Sequence, residues 1–388
     1  MLRVKLGSDI LLASTRLRGM RVGVVANPAS IDQDFTHIVD RVAKTEGVTL
    51  GAIFGPQHGF NADLQDNMIE TGHAEDRGRR VPIYSLYSET REPTAGMLAG
   101  LDALVIDMQD IGARIYTFVY TMANCLRAAA RHGVKVFVCD RPNPIGGTEV
   151  EGALLRSGFE SFVGQFAIPM RHGMTIGELA RLFNEHFGIG ATLEVVSMKG
   201  WVRAQYWDQT GVPWVMPSPN IPTLDTAVVY PGTVLFEGTM LSEGRGTTRP
   251  FELVGVPGVD PDAFAMRMNA LKLDGVYFRP AAFEPTFQKH AKTPCGGCQI
   301  HVTERTRFRP VAVGAALLRE FRGMAPDRFA WRQPPYEYEH EKQPIDILSG
   351  SPALREQVDA QVPLADIVAS WRDDEAAFRK VREPFLLY

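Results

Sequence analysis

The chain has little cysteine. Its 388 residues include four: Cys125, Cys139, Cys295 and Cys298. The first two fall in a predicted helix and a predicted strand, and only the last two are close together, so no disulfide framework is expected and a reducing compartment is. The single Cys295-Gly-Gly-Cys298 has no second pair, which argues against a structural zinc, although His290 and His301 flank it. No apolar run approaches the length of a membrane span. The amino-terminal stretch MLRVKLGSDILLASTRLRG has no long apolar segment and no small-residue cleavage site. We therefore expect a cytoplasmic protein, although a chain trimmed of a signal peptide would read the same. Basic charge is not in excess: the net charge is -4, so nothing favours a nucleic-acid backbone. No G-x-G-x-x-G follows the first strand, which argues against dinucleotide binding, and neither a P-loop nor G-x-S-x-G is present. There is no internal repeat and no low-complexity stretch.

What is present is ordinary globular material, 45% hydrophobic and 22% charged, in a length that suits two domains. Short apolar runs at residues 21–27, 49–54, 81–86, 103–106, 134–138 and 192–196 alternate with helical periods. This alternation predicts an α/β fold with a Rossmann-like, doubly wound parallel sheet and right-handed crossovers. It ends near Trp207. A segment punctuated by Pro213, Pro217, Pro219 and Pro222 then reads as an extended connector. After it the pattern becomes α+β, with strands expected at 233–236, 276–280 and 299–302 and helices at 261–271 and 310–321. The boundary is placed at 222, giving domains 1–222 and 223–388.

The stretch LVIDMQDIGARIYTFVY (104–120) organises the first domain. An apolar strand runs straight into Asp107 and Asp110, then Gly112, Arg114 and Tyr116, and then a helix. Ligands of open parallel sheets bind beyond the carboxyl ends of the strands, so these side chains are candidates to line a cleft. The plainer reading is that the aspartates cap the helix and pair with Arg114. Gln57-His58, in a Gly-rich loop with Asp63, Asp66 and Glu70, and Asp140-Arg141-Pro142-Asn143 fall at other strand ends. Arg171-His172 precedes a helix start, where an anion or a sugar carboxylate could be held. The second Gly-rich loop carries Glu237, Glu243, Arg245 and Arg249. Glycoside hydrolysis needs paired acids of this kind, one to protonate the leaving oxygen and one to attack or activate water. Aromatics gather in WVRAQYWDQTGVPW and in PPYEYEHE, as a sugar-stacking platform or a packed seam would require.

FGPQHGF, DMQDIGARIYTF, DRPNPIGG, MPSPNIPT and LFEGTMLSEGRGTTRPFE, in this order, resemble the exo-β-N-acetylmuramidases, which remove N-acetylmuramic acid from the non-reducing end of peptidoglycan fragments. The resemblance runs from about residue 21 to the end. It implies a Rossmann-like domain and a smaller second domain, an active site in the cleft between them, no cofactor and no metal, and a sugar or muropeptide as substrate. The family's candidate catalytic acid lies in a PEHG motif that here reads Pro56-Gln57-His58-Gly59. A glutamine cannot transfer a proton as a carboxyl does. The catalytic candidates are therefore Glu243 and Glu70, with Gln57 and His58 positioning the sugar. Asp107, Asp110, Arg114, Tyr116, Asp140, Arg141, Asn143, Arg171, His172, Asn220, Glu237 and Arg245 are the candidates for substrate binding. The lactyl carboxylate of muramic acid asks for a cation, and Arg114, Arg171 and Arg245 are available. Two other functions stay open at this point, a non-catalytic muropeptide-binding protein and a nucleotide-sugar enzyme. The sequence carries no signal for oligomeric state.

Overall fold

The computed structural model describes residues 3–65 and 68–388. Its main sheet uses β1 (Arg21–Ala26), β2 (Thr49–Gly55), β3 (Ala74–Asp76), β4 (Val81–Ser85), β5 (Ala103–Asp107), β6 (Lys135–Cys139) and, after the hairpin strands β7 (Glu151–Leu154) and β8 (Pro169–Arg171), β9 (Leu193–Val196). The order across the sheet is β3-β4-β2-β1-β5-β6-β9. All pairs are parallel except that of edge strand β3 with β4. This is the doubly wound sheet expected from the alternation. Side chains of β1 and β5 alternate between two cores. Val22, Val24 and Val105 join a cluster with Leu11, Ile38 and Val39 on one face. Val25, Leu104 and Ile106 join a larger cluster on the other face, which continues through helix Phe118–His132 into the second half at Phe264, Leu317 and Phe321.

The second half is built on β10 (Leu253–Val256), β11 (Val276–Phe283) and β12 (Cys295–Val302), an antiparallel sheet with β12 in the centre. Cys295 and Cys298 lie buried and unbonded on that central strand. Among the described residues no three His, Cys, Asp or Glu side chains gather as a metal site would require. The strand expected at 233–236 is instead a 3-10 turn, Val234–Gly238, that continues helix Leu224–Thr233. The β-branched residues there are buried on all sides, and burial overrides their strand preference. The aromatics Trp201 and Trp207 pack with Val4, Leu6 and Met198 in a small core of their own, so they cannot offer a face to a sugar. The carboxyl-terminal helix Arg372–Arg382 returns to the first half, where Leu154 N donates to Asp374 and the Tyr388 hydroxyl donates to Asp140. Among the described residues no helix is long and apolar enough to cross a membrane.

Strand order reverses direction at β1, between β2 and β5, which is where doubly wound sheets usually take a ligand. Here that crevice is filled by the protein's own Arg141, which is 1% exposed. Its guanidinium donates to Asp107 Oδ1 at 2.9 Å, to Gln109 Oε1 at 3.0 Å, and to the carbonyls of Ala29 and Ile31 at 2.9 and 3.0 Å.

Within the second half, helices Leu224–Thr233 and Pro310–Met324 pack with their backbones in close contact. A Cβ at Gly314 would lie 2.4 Å from the Gly232 carbonyl oxygen, so only glycine permits this approach. Gly314→Ala should therefore destabilise the protein by roughly 1–3 kcal/mol, measured by denaturant unfolding. An unchanged midpoint would show that the helices can separate without cost.

Candidate active site

A cavity opens where the loop after β2 meets the second half. Gln57 and His58 enter from that loop, Tyr116 and Thr117 from the entry to helix Phe118–His132, and Ser218 and Asn220 from the Pro-rich connector. Tyr230, Glu237, Arg245, Tyr336 and Glu337 close it from the second half. Its volume is about 40 Å³, and it is partly open to solvent. Tyr116 reaches the wall through the turn at Gly112 (φ +87°), where a Cβ would meet Asn143 Oδ1 at 2.5 Å. Asp110 Oδ2 accepts from Gly112 N in that same turn.

Glu237 and Glu337 are both buried, and their surroundings push them in opposite directions. Burial works to raise the Glu237 carboxyl, but Arg245 outweighs it and holds the group below the usual carboxylate range. Arg245 Nη2 donates to Glu237 Oε1 at 2.6 Å, and the Tyr336 hydroxyl donates to Oε2, also at 2.6 Å. Among the described residues no cation makes an ion pair with Glu337, and Arg245 acts on it only from a distance. Glu337 accepts from the Tyr87 hydroxyl at 3.0 Å and from Gln57 Nε2 at 3.3 Å, and Gln57 Oε1 in turn accepts from Thr117. Burial, with the charge of Glu237 adding to it, pushes Glu337 up to about 7. Between about pH 4.5 and pH 7, therefore, Glu237 is ionised while Glu337 largely retains its proton.

Glu337 stands in a costly turn. Tyr336 and Glu339 exchange backbone hydrogen bonds at 2.9 Å in both directions, and the two residues between them, Glu337 and Tyr338, have φ of 45° and 68°. A turn with both central residues left-handed ordinarily takes Asn-Gly. A side chain in that conformation costs of order 1–3 kcal/mol and tends to mark functional sites. In the sequence, PPYEYEHE stands out for its aromatics, and the signal that would have singled out Glu337 is this turn made without Gly or Asn.

The structure gathers six of the expected site residues at the cavity: Gln57, His58, Tyr116, Asn220, Glu237 and Arg245. The others lie elsewhere, each for a visible reason. Glu243 is not in the lining and is 2% exposed, and its carboxyl is spent on Lys289 at 2.6 Å and Arg245 at 3.4 Å. Glu70 projects into a neighbouring depression and pairs with Arg91 at 3.0 Å. Asp66 lies outside the described residues. Asp107 is consumed by Arg141, and Asp110 by Gly112 N and by His172, whose Nε2 lies 3.4 Å away. Arg114 is 1% exposed and donates to the carbonyls of Ala153, Ile168 and Leu348, tying three segments together. Asp140 accepts from Thr175, Gly177 N and Tyr388. Asn143 bridges Met174 and Ile145, Arg171 donates to the Ile145 carbonyl, and His172 Nδ1 accepts from Met174 N. Of the three arginines considered for a substrate carboxylate, Arg245 alone lines the cavity, and its Nη1 has no hydrogen-bond acceptor among the described residues.

Residues 22–225 match the family described as exo-β-N-acetylmuramidase NamZ, N-terminal, and residues 228–388 match its C-terminal counterpart. The chain is 41% identical over its whole length, and over 92% of the relative, to the peptidoglycan β-N-acetylmuramidase NamZ of Bacillus subtilis (strain 168). It also resembles the crystal structure of a DUF1343 family protein from Bacteroides fragilis NCTC 9343, with TM-score 0.90, 33% identity and full coverage of both chains. A second DUF1343 protein from that organism aligns at TM-score 0.74 with 25% identity and 99% coverage of each chain.

The pairing of Glu337 and Glu237 has a consequence for stability. Folded Glu337 keeps its proton up to about 7, whereas the unfolded carboxyl loses it near its ordinary 4.5. Stability from this group is therefore fully present below about 4.5 and falls as pH rises through about 7. Glu337→Gln removes that dependence, so between pH 5 and pH 8 the variant should gain on the order of 2 kcal/mol relative to the unaltered protein. Parallel urea unfolding curves at the two pH values measure the difference, and equal differences at both would contradict the assignment.

Proposed function

The chain belongs to the exo-β-N-acetylmuramidase NamZ family, and from that premise we propose that it hydrolyses the bond of a non-reducing terminal N-acetylmuramic acid in peptidoglycan fragments with Glu337 as the proton donor. The observation that carries this reading is the unequal pair in one cavity, a protonated Glu337 beside an ionised Glu237. Such pairs divide acid work from charge stabilisation. As the bond from C1 to the glycosidic oxygen breaks, Glu337 gives its proton to that oxygen, and the leaving sugar departs as an alcohol. The positive charge growing at C1 is stabilised by Glu237. Both Glu237 oxygens are already held at 2.6 Å by Arg245 and Tyr336, which suits an electrostatic role better than attack on C1. The substrate's own 2-acetamido oxygen then attacks C1, as in substrate-assisted glycosidases. Water completes the reaction, and ionised Glu337 takes a proton from it.

The unpaired Nη1 of Arg245 supplies the donor for the lactyl carboxylate, the group that separates muramic acid from glucosamine. Gln57 cannot be the acid in this chain, but its amide holds Glu337 in place. Four unbonded, buried cysteines suit a reducing compartment, so we assign the work to cytoplasmic recycling of cell-wall sugars.

Kinetics with two substrates test the role of Glu337. On a muramic acid–glucosamine disaccharide, Glu337→Gln should lower kcat/KM by roughly 10²–10⁴. On a dinitrophenyl β-N-acetylmuramide, whose leaving group needs no proton, the loss should be far smaller. The disaccharide activity of the unaltered protein should fall as pH rises through about 7, where Glu337 loses its proton. Equal losses on both substrates, or full turnover by the variant, would remove Glu337 from the acid role.

A further inference from the structure

Glu337 lines a second cavity as well as the first. The second one, about 480 Å³ and open at the surface, is bounded by Glu70, Ser88, Arg91, Phe162 and Tyr338 together with Glu337. Its volume is that of a small-molecule site. One wall is aromatic. The Arg91 guanidinium carbon sits 4.3 Å from the centre of the buried Tyr87 ring and 4.4 Å from that of Tyr338, in the corner between two rings whose planes meet at 66°. Phe162 meets Tyr338 at a right angle, with ring centres 6.4 Å apart. Arg91 is fixed in plane by Glu70 at 3.0 Å, and the Tyr338 hydroxyl donates to the same carboxylate at 3.3 Å.

We propose that this cavity receives the sugar that leaves, a neutral N-acetylhexosamine. The inference rests on the assignment of Glu337 as proton donor. A proton donor must touch the glycosidic oxygen, so the sugars joined by that oxygen lie on either side of it. Glu337 is the residue common to both cavities, with muramic acid in the first and its partner in the second. The chemistry of the second cavity fits a neutral polyol. Aromatic faces cover the C–H face of a sugar ring, and carboxylate, serine and backbone oxygens accept from its hydroxyls. Of the acidic side chains around it, Glu70 pairs with Arg91, Glu89 with His73 and Glu339 with Lys342, and Glu160 accepts from Gly158 N.

Tyr338 is half exposed, so Tyr338→Ala should fold. The ratio of kcat/KM for the muramic acid–glucosamine disaccharide to kcat/KM for the dinitrophenyl muramide should fall at least tenfold in this variant. In the same samples, saturation transfer from protein to free N-acetylglucosamine, followed by NMR, should be present in the unaltered protein and lost in Tyr338→Ala. A ratio within twofold of the original, or saturation transfer that persists in the variant, overturns the subsite. Transfer to a diamino-acid peptide but not to N-acetylglucosamine overturns it as well. Turnover of the dinitrophenyl muramide by the unaltered protein reads the proposed activity separately. If that turnover is absent while saturation transfer behaves as stated, the activity fails and the sugar site stands.

Discussion

The ion pair between Arg245 and Glu237 sets the character of the site. Buried charges are costly unless paired, and removing one partner of such a pair typically costs 3–5 kcal/mol. Arg245 therefore keeps Glu237 ionised in a cavity that would otherwise neutralise it. That charge then acts on Glu337, which makes no ion pair among the described residues and keeps its proton. Lys289 and Arg245 also engage Glu243 from the same loop, so the Gly-rich segment holds a charged framework around one working carboxylate.

A second constraint explains where the site lies. The crevice that a doubly wound sheet offers at its switch point is occupied by Arg141, tied to Asp107, Gln109 and two backbone carbonyls. With that position closed, the available cavity lies further along the strand ends, at the loop after β2, and needs the second half to complete it. The sheet supplies Gln57, His58, Tyr116 and Thr117, and the second half supplies both carboxylates and the arginine. A Rossmann-like topology here organises the proposed sugar site without a nucleotide fingerprint, as expected when function resides in the site and not in the fold.

Long buried strands were legible because each is a short, continuous apolar run ended by polar residues, as in Leu104–Ile106 before Asp107. The three- and four-residue strands β3, β7 and β8 lacked enough residues to show a pattern. The helix Leu224–Thr233 was hidden because Pro231 and Gly232 near its end read as a break and Val228, Val229 and Thr233 as strand formers. At the site, Gln57, Tyr116, Glu237 and Arg245 stand in recognisable motifs. Several acids and bases beside them, Asp107, Asp140, Arg114 and Arg171 among them, look equally functional in sequence but turn inward to satisfy backbone and one another. Glu337 was not legible because its chemistry is made by partners remote in the chain: Tyr87 lies 250 residues away and Gln57 280. Only the folded chain brings that burial and those hydrogen bonds together.

The proposed catalysis depends on one proton, that of Glu337. With glutamate side chains carrying ¹³C at the carboxyl carbon, an NMR pH titration should show one resonance moving with a midpoint near 7, and that resonance should be missing from Glu337→Gln. A Glu337 resonance that titrates near 4.5, the ordinary glutamate value, would contradict the account.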